Sequence, residues 1–163
     1  MQKRWVLKPG GDPEKVASLA AALGVGPALA ELLIQRDVNT FAEARAFFRP
    51  ELGNLHDPFL MKDMDLAVAR IFRALENKEK ILVYGDYDVD GTTAVALVYT
   101  FLKDELGHSL IDFYIPDRYG EGYGISFKSV DYASDNGFGL VIALDCGIKA
   151  IEKVAKGKEV GVD

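Results

Sequence analysis

Three short apolar runs constrain this chain more than any other feature. They are ILVYGD from Ile81, IDFYIP from Ile111 and GLVIALD from Gly139. Each is followed by a segment of helical character: GTTAVALVYTFLKDELG from Gly91, SFKSVDYASDNG from Ser126 and IKAIEKVAKGKE from Ile148. Strands that alternate with helices need right-handed crossovers and pair in parallel. Runs this uniformly apolar are buried on both faces, so helices are expected on each side of the sheet. Ser126 is placed to cap the second helix and Gly137 to end it, while Pro116 cuts the second strand. The last residues, VGVD, read as the opening of a fourth strand.

The first 80 or so residues have a different texture, helical and loop-rich, without internal repeats. DPEKVASLAAAL opens with Asp12 as N-cap and Pro13 at the first helical position. GPALAELLIQR sets Leu29, Leu32, Leu33 and Arg36 at helical spacing. TFAEARAFFR carries Thr40 and, three residues on, Glu43, the pattern of a capping box, and Pro50 stops it. PELGNLHDPFL is a turn-rich loop. In DMDLAVARIFRALEN, begun by Asp63, the spacing predicts one buried face of Leu66, Ile71 and Leu75.

Composition narrows the class. Hydrophobic residues make up 49% and charged residues 27%, which suits a folded core. A single cysteine, Cys146, excludes an intrachain disulfide and suits a reducing cytoplasm, where the chain is expected. MQKRWVLKPGGDPEK lacks the apolar stretch of a signal peptide, and no run reaches the roughly 20 residues of a membrane span. A net charge of −6 argues against nucleic-acid binding through a basic surface. It leaves open an enzyme whose acids hold cations that meet a phosphodiester. With two histidines, His56 and His108, the chain is poor in zinc ligands. His56 is expected to serve its loop, His108 to sit solvated near a helix end, and Cys146 to pack as a core thiol.

The chemistry concentrates where the first strand meets its helix. Asp86, Asp88 and Asp90 occupy alternate positions and Gly91 follows. The order matches the front of a calcium-binding EF-hand loop, but the twelfth position is Leu97 rather than Glu, and a strand precedes it. A dinucleotide turn fails too, since three carboxylates repel pyrophosphate. The remaining reading is a metal site at the carboxyl edge of the sheet, where open parallel sheets bind ligands. Asp117 and Arg118 follow the second strand and Asp145 ends the third, so successive strands send acids to one edge. Magnesium or manganese would relieve the repulsion. Two such ions about 3.5–4 Å apart can grip the attacking and leaving oxygens of a phosphoryl group. Blander roles stay open: Asp145 as a helix N-cap, and Asp117 with Arg118 as a solvated turn. Arg118 could also hold a phosphate bidentately.

VYGDYDVDGTTAVAL resembles the first motif of the DHH phosphoesterase superfamily and, more narrowly, that of RecJ-like single-strand-specific DNA exonucleases. LHDPFLMKDMDLAVARI resembles the helical lead-in of that family, YIPDRYGEGYGIS a second block, and VIALDCGI the next acidic motif. The resemblance runs from Trp5 to the end. It implies an α/β fold, a parallel sheet with helices on both faces forming part of a DHH domain. Residues 79–163 would be the first part of that domain and residues 1–78 a small helical N-terminal region. It implies degradation of single-stranded DNA from the 5′ end to 5′-mononucleotides, in DNA repair and recombination, with Mn2+ or Mg2+, two ions in the full enzyme. Asp88, Asp90 and Asp145 match catalytic metal-binding acids, and Asp86 belongs to the same motif as a fourth candidate ligand. Arg118, Gly122, Tyr123 and Gly124 would line the cleft for substrate. The family's Asp-His-His triplet is expected just beyond Asp163. The chain is therefore read as an N-terminal fragment of a longer nuclease, itself nearly inactive, with no membrane partner. The alternatives are another DHH-type phosphodiesterase, a manganese pyrophosphatase, or a receiver-type signalling domain phosphorylated at Asp145.

Overall fold

The computed structural model describes residues 4–163; the first three residues of the expected N-terminal region lie outside them. The chain divides into two compact units, Met1–Leu60 and Met61–Asp163. The first unit holds helices α1 (Pro13–Leu23), α2 (Pro27–Ile34) and α3 (Phe41–Phe48), followed by two short 3-10 turns, Leu52–Asn54 and Pro58–Leu60. Local chemistry sets their ends. Asp12 accepts from the Glu14 N–H and Pro13 sits at the helix start. Gly24 ends α1 in the left-handed region at φ 66°. Thr40 and Glu43 form the reciprocal capping box. The core of this unit is Leu19, Ala20, Ala30, Leu33, Val38 and Ala44. Leu29 and Leu32 of α2 are exposed, because α2 is short and buries only the Ala30–Leu33 face.

The second unit begins with α4 (Met64–Glu76) and continues as β1 (Ile81–Gly85), α5 (Val89–Thr100), β2 (Ile111–Tyr114), α6 (Phe127–Asp135), β3 (Leu140–Leu144) and α7 (Ile151–Glu159). The three strands are parallel in the order β2-β1-β3. Ile81 lies opposite both Ile111 and Leu140, so odd positions of β1 face one side and even positions the other. The odd face packs Ile81 and Leu140 on Ala74, Ile71 and Leu75 of α4. The even face packs Leu82 on Ala133 of α6, Phe138 and Val162. Helices thus cover both faces, as the uniform apolar runs require.

α4 therefore belongs with the sheet, although the sequence reading set the domain change at residue 79. Its buried face is Ile71, Ala74 and Leu75; Leu66, expected to join them, is 64% exposed in the first turn, short of the sheet. Asp63, expected to start this helix, stands before it at φ 60° without a side-chain capping bond. His108 is a second correction. It is only 8% exposed, and its Nε2 lies 2.9 Å from the Glu79 carbonyl oxygen, which draws the ring inward.

The long helix expected after Gly91 starts two residues earlier and changes to a π-helical turn at Phe101–Glu105. Next to that change the Thr100 hydroxyl donates to the Ala96 carbonyl, a bond that competes with the helix ladder. VGVD, expected to open a fourth strand, is not assigned as one but lies along β3: the Val141 N–H donates to the Asp163 carbonyl and the Asp163 N–H to that of Gly139. Arg70 holds the same end, donating to Asp163, to Glu79 and to the Gly139 carbonyl. Among the described residues no single helix is long and apolar enough to cross a membrane.

Candidate metal centre

The turn from β1 into α5 is built on two glycines. A Cβ at Gly85 would lie 2.4 Å from Val95 Cγ2 and 2.7 Å from the Gly91 carbonyl oxygen. One at Gly91 would lie 2.4 Å from the Asp86 carbonyl oxygen and 2.6 Å from its nitrogen. Only glycine at both positions lets the helix start this close to the strand. The consequence falls on Asp86. It is 0% exposed, and both of its carboxylate oxygens are buried without a hydrogen-bond partner.

Asp88 has two faces. Its Oδ1 accepts from the Gly91 N–H at 3.0 Å, making it the N-cap of α5, and its side chain stays at the surface. Asp90 stands exposed in the first turn of α5, where the helix dipole favours an acid. Asp145 follows β3 at φ 56°, a left-handed conformation uncommon outside glycine. It does not cap α7, whose N-cap residue is Ala150, so the capping role expected of a lone acid at a strand end does not apply.

Two neighbours feel the charge of these acids. Burial first, then the charges of Asp86 and Asp145, push the Cys146 thiol up to about 11. The Tyr123 hydroxyl is raised by burial, then by Asp86, Asp145, Cys146 and Asp88. Cys146 is thus half-buried beside the acids rather than deep in the core. Asp86 and Asp88 follow β1 and Asp145 follows β3, so the parallel pairing of these strands puts all three at the carboxyl edge, whereas Asp90 makes no ion pair or hydrogen bond through its side chain among the described residues. No three His, Cys, Asp or Glu side chains among the described residues draw together closely enough to enclose an ion.

A buried carboxylate with neither oxygen partnered is costly unless something supplies the missing positive charge. A hard divalent cation, bound through oxygen, is the fitting partner. The donor set therefore suits Mn2+ or Mg2+.

The loop after β2 forms the wall. Asp117 Oδ1 accepts from the N–H groups of Tyr119 and Gly120, so this acid shapes a surface turn. The Arg118 guanidinium carbon lies 4.9 Å from the centre of the Tyr87 ring, and Tyr87 meets Tyr123 edge-on at 6.5 Å. Gly122 and Gly124 take φ 79° and 78°, which keeps side chains out of this stretch. Tyr84 donates to the Gly124 carbonyl at 2.7 Å, and Tyr123 to the Asp145 carbonyl at 3.2 Å.

The sequence places Glu121 within the YIPDRYGEGYGIS block but gives it no role of its own. Its side chain is 4% exposed. It accepts from the Tyr114 hydroxyl, the Ser126 hydroxyl and the Asp117 N–H, and pairs with Lys128 at 3.5 Å. Burial alone would raise its pKa, but the bonds from Ser126, Asp117 and Tyr114 and the charge of Lys128 outweigh that and hold it below the usual range. The available signal was a glutamate set five residues before a helix-capping serine. No periodicity reveals that Tyr114 and Ser126 converge on it.

A model of the DHH family, N-terminal domain, matches residues 80–163. The chain belongs to the DHH family. The DHH match begins one residue before β1 and takes in every acid at the carboxyl edge. Over its whole length the chain is similar to the single-stranded-DNA-specific exonuclease RecJ of Bacillus subtilis, at 39% identity over 160 residues, 98% of this chain and 20% of that protein. It is 33% identical over 152 residues to RecJ of Salmonella typhimurium, covering 93% of this chain and 25% of that one. The crystal structure of RecJ from Thermus thermophilus in complex with Mn2+ superposes with a TM-score of 0.64 at 27% identity, over 94% of this chain and 20% of that chain. A crystal structure of exonuclease RecJ bound to manganese gives 0.57 at 33% identity, over 63% of this chain and 26% of that one. The chain thus spans a fifth to a quarter of the length of these RecJ relatives.

Proposed function

We propose that this chain provides part of the catalytic centre of a metal-dependent exonuclease. The enzyme would degrade single-stranded DNA from the 5′ end to 5′-mononucleotides, in the cytoplasm, during DNA repair and recombination. The observation that carries the reading is the buried, unpartnered Asp86 carboxylate at the acidic edge of the sheet. The length-wide similarity to RecJ supports it, as do the Mn2+ complexes of related structures.

Asp86, Asp88, Asp90 and Asp145 are the residues that would hold Mn2+ or Mg2+. When bound, such ions polarise the scissile phosphate and lower the pKa of water. The chain's own residues do the positioning. Gly85 and Gly91 fix the backbone of Asp86 against α5. Asp88 spends one oxygen on the helix cap and keeps the other for a ligand. Arg118, held on the Tyr87 ring, presents a guanidinium suited to a phosphate oxygen. Gly122, Tyr123 and Gly124 leave backbone room beside the acids for a nucleotide. The acidity of the chain then serves the cations rather than opposing the substrate.

The test is release of mononucleotides from a 5′-labelled single strand by the full natural protein with Mn2+. Activity is expected, with Asp88→Asn and Asp90→Asn together lowering turnover by about 100-fold or more, as loss of metal binding does. Circular dichroism controls for folding. Undiminished release by the folded double variant would falsify the assignment.

A further inference from the structure

Glu121 lies outside the acidic cluster, yet it has the densest set of side-chain bonds near the site. Its carboxylate ties three separate pieces together: Tyr114 at the end of β2, the Asp117 N–H at the start of the connecting loop, and Ser126, the N-cap of α6. The loop closed in this way, residues 117–126, touches the turn that carries Asp145 at two points. The Tyr123 hydroxyl donates to the Asp145 carbonyl at 3.2 Å. Ile125 Cδ1 lies 3.0 Å from where a Cβ on Gly147 would be, so that glycine is in close contact with the loop. Asp145 itself sits at φ 56°, a conformation that surroundings must impose on a residue other than glycine. Tyr84 fastens the same loop to the middle strand through the Gly124 carbonyl.

We infer that Glu121 is a positioning residue: by closing the 117–126 loop it sets Tyr123 against the Asp145 carbonyl and so fixes the backbone from which Asp145 presents its carboxylate. The inference rests on the reading of this edge as the metal site. It makes the β2–α6 loop the counterpart, for Asp145, of the glycine pair that holds Asp86. A carboxylate suits the task because it accepts from two hydroxyls and an amide at once, which an amide side chain with a single acceptor oxygen cannot match.

The experiment uses the 15N-labelled chain and Mn2+ as a paramagnetic probe, read by broadening of individual amide signals. In the unaltered chain, Mn2+ should broaden both Asp86–Asp88 and Asp145–Gly147. In Glu121→Ala, the Mn2+ concentration for half-broadening at Asp145–Gly147 should rise about tenfold, the scale of outer-shell effects on metal sites. Asp86–Asp88, in range of the same ion, should report the same higher midpoint but keep its amide positions in the metal-free spectrum, whereas those of Asp145–Gly147 should move. Tyr123→Phe should shift the same amides, and adding it to Glu121→Ala should cause little further change, because both act through one contact. Glu121→Gln, which keeps one acceptor, should fall between and serves if the alanine variant does not fold. Equal broadening at Asp145 in either folded variant overturns the inference, as do additive shifts in the double variant. Mn2+ that broadens neither turn of the unaltered chain overturns the metal-site reading beneath it.

Discussion

Asp86 holds the tension in this site. Its carboxylate has lost water and gained no donor, because the Gly85–Gly91 contact packs α5 directly over it. In the absence of metal, Asp86→Asn should therefore raise the unfolding free energy by about 1 kcal/mol, since a neutral side chain is cheaper to bury unpartnered. Urea denaturation in EDTA reads this, and equal or lower stability would count against the buried-charge argument. Asp88 behaves differently. Its bond to the Gly91 N–H caps α5. Asp88→Ala should lose about 1 kcal/mol as a lost cap, while Asp88→Asn, itself a good cap, should lose little. Chemical denaturation of the two variants side by side separates cap from charge.

The element that matters most is the β1–α5 turn, and its glycines set what it tolerates. Gly91→Ala drives a methyl into the Asp86 backbone, which cannot yield as a flexible side chain would. A loss of about 3 kcal/mol or complete unfolding is expected, by melting temperature, since overpacking against backbone lies at the upper end of such effects. The β2–α6 loop adds a pH dependence. Glu121 is held below the usual carboxylate range in the folded state. A folded pKa below the unfolded one means that the group stabilises the fold above the unfolded value, and that this stability fades as pH falls through the folded value. The unaltered chain should thus lose stability from about pH 5 downward, and Glu121→Gln should flatten that slope. Thermal melts at stepped pH are the measurement, and parallel curves would contradict the assignment.

At the scale of the molecule, the acids of the second unit share an edge but do not close into a cage. Each ion held there would keep labile water in several positions, so Mn2+ should bind this chain weakly, on the order of millimolar as at low-charge oxygen sites. Stabilisation follows RT ln(1 + [L]/Kd), about 0.4 kcal/mol when metal equals Kd. A thermal-shift titration should therefore show a small rise at millimolar Mn2+. Saturation at micromolar metal would mean that the present acids suffice by themselves.

Much of this organisation is local, and the sequence by itself determined it. Helix caps at Asp12, Thr40 and Ser126 depend on bonds spanning two or three residues. The parallel sheet followed from the spacing of three apolar runs, and the common edge of Asp86, Asp88 and Asp145 followed from strand polarity alone. Tertiary structure decided what depends on residues distant in the chain. Leu66 and His108 exchanged their expected environments because burial is set by what packs opposite, not by a residue's own type. Asp145 was freed from capping because α7 starts at Ile151, several residues beyond the strand. Glu121 gained its partners because β2 and the start of α6 meet around it, and Asp86 lost its water because two glycines six positions apart touch. Periodicity encodes which way a side chain points, but desolvation and hydrogen-bond closure depend on which groups the whole fold brings within bonding distance.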